Sequence, residues 1–365
     1  MIKPLISLAA VLALAAPLNA QDEPQEHPSP NQIVAEASAG DWMSIPAEDL
    51  LVMTLAPDAE GNERKVVIQL MPAPFSQGWV ENIRTLARAR WYDDISVNRV
   101  QDNYVVQWGD PNYDNPEATG EAKPLPEGLQ VMDERCYIVD FSEEDCDIPS
   151  ASLTEEAAVL AVLAAASAAV DSGSNHPTVD IQNTRTESAE EGWHERDPYA
   201  PWVEFFEGWP LGAEEVDSDD APWQFWPIHC YGMIGVGRNY SPDTGSGAEL
   251  YTVIGHAPRH LDRNIALVGR VIEGMEHLSS LPRGKGDLGF YAADEVDKRT
   301  PILTVRVASD LPAGEQPKFE YLDTESETFA RYADARANRR DPFFIVPAGG
   351  ADICTIPVPV RRAAQ

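Results

Sequence analysis

Residues 95–111 read ISVNRVQDNYVVQWGDP, and the fold is decided there. Ile95 to Val100 and Tyr104 to Trp108 are short runs rich in β-branched and aromatic residues, a composition that suits a pleated, half-buried surface. Both read as strands, and Gly109-Asp110-Pro111 closes the second. Residues 105 and 107 fall on one face of their strand, because successive side chains alternate.

Upstream, Asp49 to Ala56 and Lys65 to Leu70 flank a turn at Asp58 to Asn62 and read as a hairpin. Pro72 and Pro74 end the second run, and a helix follows from about Ser76 to Arg90, where Val80, Ile83, Leu86 and Ala87 recur on one face. Downstream, the texture changes over 112–228. That stretch is acidic and Pro-rich, holds an Ala-rich helical run from Ala157 to Val170, and clusters Trp193, Trp202, Trp209, Trp223 and Trp226. It reads as a long insertion whose tryptophans form a small satellite core. Strand character returns at Cys230 to Gly237, Leu250 to Ile254, Ile265 to Ile272 and Ile302 to Val307, the last with Leu303, Val305 and Val307 alternating. Thr324 and Glu327 fit a capping box opening a helix to about Arg339, inside a C-terminal extension over 311–365. A mainly β domain over 45–310, interrupted by the insertion, is the economical reading.

Residues 1–20 have the three parts of a signal peptide: a positive start at Lys3, an apolar run from Pro4 to Pro17 and a small residue at the cut site. An exported, periplasmic or secreted protein is expected. Residues 21–44, rich in Pro, Glu, Gln and Ser, read as a flexible linker. The run from Ala157 to Val170 is too short to cross a bilayer, so no membrane span is expected. With 27 basic and 60 acidic residues the formal net charge is −33, which repels phosphate backbones and excludes nucleic acid as a partner. Cys136, Cys146, Cys230 and Cys354 allow three pairings in an oxidising space. The arrangement expected joins Cys136 to Cys146, stapling one loop, and Cys230 to Cys354, tethering the tail. No Cys or His spacing suits zinc, and neither metal nor other cofactor is expected.

Three stretches in order resemble the cyclophilin family of peptidyl-prolyl cis-trans isomerases. Val66 to Leu70 with Glu81-Asn82-Ile83-Arg84 and Leu86 is similar to the family's strand and "ENFR.L" helix. Asn98-Arg99-Val100 through Gly109-Asp110 is similar to "HRV…F.(I)QGGD", and Gly232 to Val236 with Gly245 to Ile254, His260-Leu261-Asp262 and Gly269 to Met275 resembles "G.(L)SMA…GSQFFI…LDG…FG.V.EGM". The resemblance implies an eight-stranded antiparallel barrel capped by two helices, with the site on its outer face. It implies Arg99 as catalytic residue and Gln107 as a donor that holds substrate backbone. It places Tyr104, Val105, Glu249, Tyr251, His260 and Leu261 around a proline pocket. Glu249 stands where the family usually has glutamine, Tyr251 where it has phenylalanine and His260 where many members carry tryptophan; Ile265 or Asn264 replaces a pocket histidine. The other histidines, His229 and His256 among them, read as ordinary polar residues. The implied partners are proline-containing polypeptides. The alternative is a binding module or chaperone on the same fold, with the insertion and its tryptophans holding clients.

Overall fold

The computed structural model describes residues 27–113, 115–116, 118–140, 146, 193–194, 197–216 and 223–363. The expected signal peptide and the run from Ala157 to Val170 lie outside the described residues. The chain runs through α1 (Pro30–Glu36), β1 (Trp42–Ser44), β2 (Leu50–Leu55), β3 (Arg64–Leu70), α2 (Gln77–Arg88), β4 (Ile95–Val100) and β5 (Val105–Gly109). It continues through β6 (Trp202–Phe206), β7 (Trp209–Glu215), β8 (Trp223–Pro227), β9 (Met233–Val236), β10 (Leu250–Val253) and β11 (Leu267–Glu273). A single helical turn, α3 (Glu276–Ser279), precedes β12 (Pro301–Val307), β13 (Phe319–Leu322), α4 (Glu327–Ala337) and β14 (Val360–Arg362).

Eight strands close into a barrel in the order β10-β5-β4-β12-β2-β3-β11-β9, every neighbour antiparallel. Closure leaves no unpaired edge. The alternation along β5 shows how the sequence builds it: Val106 and Trp108 point into the main core, while Val105 joins a separate apolar cluster on the outer face. Helix α2 buries Val80, Ile83, Leu86 and Ala87 against that core. Its Arg84 is also buried, held by Asp49 at 2.7 Å and by Glu81. Strand β12 departs from the expected alternation. Ile302, Val305 and Val307 are buried but Leu303 is exposed, because a register shift against β2 between Ile302 and Thr304 turns it outward.

The terminal segments differ most from expectation. Residues 30–44 are no flexible linker. Ser29 and Gln32 cap α1 reciprocally, Ile33 is buried, and α1 lies against α4. Strand β1 pairs with β13, and β13 with β14, in a sheet of three, so the segment before the barrel folds with the extension after it. Composition missed this because the apolar partners of Ile33 and Trp42 lie nearly three hundred residues downstream. The cap of α4 is Ser326, whose hydroxyl accepts from Phe329 N at 3.0 Å; Thr324 instead accepts from Gly208 N at 3.1 Å. The tryptophan cluster is no satellite. Strands β6, β7 and β8 form a second sheet of three, Trp209 and Trp226 are fully buried, and Phe205 packs on Phe329 of α4 with ring centroids 5.0 Å apart. Insertion sheet, barrel and extension share one continuous core. Disulfides join Cys136 to Cys146 and Cys230 to Cys354, the second tying the extension to the residues leading into β9. Among the described residues no helix is long and apolar enough to cross a membrane.

Candidate active site

A row of paired residues crosses four neighbouring strands. Arg99 on β4 faces Gln107 on β5, Gln107 faces Tyr251 on β10, and Tyr251 faces Gly235 on β9. Adjacent strands lie about 4.8 Å apart, so Arg99 and Tyr251 are brought within roughly 10 Å although 152 positions separate them in the sequence. The row faces outward because its neighbours face inward: Val106 and Trp108 on β5 and Leu250 on β10 belong to the barrel core. A register shift between Val97 and Arg99 sets the aim of the arginine. The intervening Asn98 is buried, donates to the Gly109 carbonyl at 3.0 Å and accepts from the Ser96 hydroxyl at 2.7 Å.

The Arg99 guanidinium is held by three acceptors. Its Nε donates to the Leu288 carbonyl at 2.7 Å, Nη1 donates to Gln107 Oε1 at 3.1 Å, and Nη2 donates to Gln101 Oε1. The Tyr104 and Phe290 rings lie 5.6 and 5.5 Å from its central carbon. Burial pushes its pKa down, and Tyr104 and Tyr251 offset part of that; an arginine starts so high that the group stays charged. Among the described residues three of its N–H groups are engaged, which leaves one on Nη1 and one on Nη2 for a bound ligand.

Beside it lies a cavity of about 310 Å³. Tyr104, Val105, Tyr251, Leu261 and Ile265 supply an apolar wall, Arg99 and Gln107 a polar one, and Glu249, Arg238 and Asp243 a charged end. Burial raises the Tyr251 hydroxyl well above the ordinary tyrosine value, so it stays protonated. A fixed cation and an amide beside a small apolar recess suit a ligand that is apolar at one point and carries an amide next to it.

The description "Cyclophilin type peptidyl-prolyl cis-trans isomerase/CLD" matches residues 60–307, a span holding β3 to β12 and both halves of this site. The chain belongs to the cyclophilin family. Its fold is also similar to the crystal structure of cyclophilin AquaCyp293 from Hirschia baltica, at 17% identity and a TM-score of 0.52, over 92% of this chain and 98% of that one. A cyclophilin-type isomerase from Cryptosporidium parvum is more remote, at 10% identity, 71% of this chain, 96% of that one and a TM-score of 0.35. A search of curated proteins returned no match.

In this cyclophilin the cavity gathers seven residues read from the sequence: Arg99, Tyr104, Val105, Gln107, Glu249, Tyr251 and Leu261. His260, expected in the pocket wall, does not line the cavity. The short turn Arg259–Leu261 sends Arg259 inward and Leu261 to the recess and leaves His260 exposed, its ring stacked at 6.4 Å on Tyr104. Of Ile265 and Asn264, only Ile265 lines the cavity. Glu249 is buried and lies over Gly109, where a Cβ would stand 1.9 Å from its Oε1, so a side chain at 109 would displace the Glu249 carboxyl. Three neighbours of the arginine escaped the sequence reading: Gln101, Leu288 and Phe290. Leu288 and Phe290 lie some 190 positions from Arg99, and only barrel closure brings them to β4. His229, read as an ordinary polar residue, is fully buried behind Tyr251.

Proposed function

We propose that this cyclophilin is an active peptidyl-prolyl cis-trans isomerase working on X-Pro bonds of exported proteins. The carrying observation is the row of Arg99, Gln107 and Tyr251 along one cavity. Rotation about a peptide bond is opposed by about 18–20 kcal/mol because nitrogen donates its lone pair into the carbonyl. For X-Pro the two isomers are close in energy but exchange in tens of seconds or more. No covalent intermediate is needed. Proline enters the recess of Tyr104, Val105, Tyr251 and Leu261, the free N–H groups of Arg99 meet the nitrogen lone pair that reappears in the twisted amide, and the ground state, whose lone pair is delocalised, gains less. Gln107 accepts from Arg99 through Oε1, which turns its amide N–H₂ toward substrate backbone.

Export is supported by the apolar run behind Lys3 and by the closure of all four cysteines into disulfides. For the chaperone alternative, Trp209 and Trp226 are buried in the core and offer no surface to a client, whereas Trp193, Trp202 and Trp223 are half-buried against it.

A protease-coupled assay on a short X-Pro peptide tests the reading. Arg99→Ala is expected to lower kcat/KM by about 10²- to 10³-fold, the cost of removing one preorganised donor at developing charge, with the fold intact. An unchanged rate in a folded variant overturns the mechanism.

A further inference from the structure

Tyr251 is anchored from behind. Its hydroxyl passes over Gly235, where a Cβ would stand 2.3 Å from the oxygen, and lies 3.0 Å from His229 Nε2. The other ring nitrogen of His229 lies 2.9 Å from Asp262 Oδ1, which also accepts from the His229 backbone N at 2.9 Å. The carboxylate engages Nδ1, and that leaves Nε2 facing the tyrosine. Asp262 Oδ2 in turn accepts from Arg259 Nε at 2.6 Å. Arg259 closes the chain on the insertion, its Nη1 and Nη2 donating to the two carboxylate oxygens of Asp197 at 2.6 and 2.9 Å. The C-terminal extension reaches the same guanidinium: Asp352 Oδ2 lies 3.9 Å from Nη1, two positions before the Cys354 that is bridged to Cys230, the neighbour of His229. Tyr251, His229, Arg259, Asp262 and the Asp197 side chain are all buried.

We propose that this buried relay is how the insertion and the extension set the proline pocket. His229 and Asp197 act as positioning residues for Tyr251, and the affinity of the pocket for a proline peptide depends on both. The inference rests on reading the cavity as a proline site. A phenylalanine at 251 would be located by packing alone, whereas the tyrosine ring is fixed at its far end by a bond that is costly to leave unmade in a dry interior. The links stand in series, with Asp352 a longer second contact at Arg259, so a change at Asp197 reaches Tyr251 through Arg259, Asp262 and His229 in turn. The bare α-carbon of Gly235 is what lets the hydroxyl pass to His229.

The test uses the full oxidised protein and the peptide Ala-Ala-Pro-Phe, with calorimetric titration for Kd and the protease-coupled assay for KM and kcat. His229→Asn keeps a donor near the Nδ1 position but no longer reaches Tyr251, and it is expected to raise Kd and KM about 3- to 10-fold, the worth of one hydrogen bond, with kcat unchanged. His229→Gln places its amide near the Nε2 position and restores both. Asp197→Asn moves Kd in the same direction as His229→Asn. In a Tyr251→Phe background neither substitution has any further effect. Unchanged Kd in His229→Asn, or effects that simply add to that of Tyr251→Phe, overturns the proposal. If the His229 variants fail to fold by circular dichroism, Asp197→Asn with Tyr251→Phe completes the same cycle. A wild type that binds the peptide without isomerising it refutes the enzymatic reading while the binding cycle still decides the relay; a wild type that binds no proline peptide refutes both.

Discussion

Replacing Glu204 by glutamine is expected to stabilise the protein in alkaline solution and to do much less in mild acid. Glu204 lies on β6 of the insertion sheet at 6% exposure. Among the described residues its Oε1 has no hydrogen-bond partner, and Oε2 receives only a long contact of 3.4 Å from Trp202 Nε1. Burial, with Glu325 nearby adding repulsion, pushes its pKa from the ordinary 4.5 to about 7. Because the folded value lies above the unfolded one, no stability is lost below the unfolded value. The loss grows as pH rises from about 4.5 and is complete above about 7. The full displacement is worth about 3 kcal/mol. Between pH 5 and pH 8.5 roughly 2 to 3 kcal/mol of it is expressed, since at pH 5 the unfolded carboxyl is already mostly ionised. Urea unfolding of wild type and Glu204→Gln at both values, with disulfides intact, measures the difference directly. Glu207 and Glu325, which burial also raises, titrate in both proteins and largely cancel. The glutamine variant is expected to gain about 2 to 3 kcal/mol more at pH 8.5 than at pH 5. An equal gain or loss at the two values refutes the assignment of a strained carboxylate to this strand.

Arg99→Lys retains the charge but loses the planar fork that binds the Leu288 carbonyl, Gln101 and Gln107 together, so its kcat/KM should fall at least tenfold while the urea midpoint stays put. The serine pair Cys230→Ser with Cys354→Ser opens a bridge spanning 124 positions and should cost about 4 to 5 kcal/mol in urea unfolding, the entropy of closing such a loop in the denatured chain. Ser326→Ala should destabilise by about 1 kcal/mol through loss of the α4 cap, measured the same way; no change would return the cap to another residue.

The strands of the barrel were legible because their instructions are local. The runs at 50–55, 64–70, 95–100 and 105–109 each carry strand composition within a few residues, and turn signals separate them. That Arg99, Gln107 and the apolar residues line one cavity follows the motif order of the family, which is kept across the insertion. What could not be read depends on partners remote in sequence. The α1 segment looks polar and mobile by composition, yet Ser29 and Gln32 cap it and the extension packs against it. Thr324 has the spacing of a helix cap, but it is the hairpin tip at Gly208 that claims its hydroxyl.

The sequence by itself therefore determined the strand runs and, through motifs that resemble the cyclophilin family, the family and its barrel, since alternation and short motifs are properties of contiguous residues. Only tertiary structure decided that Leu288 and Phe290 hold Arg99, that His260 stands outside the cavity, and that Asp197, Arg259, Asp262 and His229 line up behind Tyr251. The physical reason is that a buried polar side chain takes whatever partner the closed fold brings within about 3 Å, and neither spacing nor composition encodes that meeting.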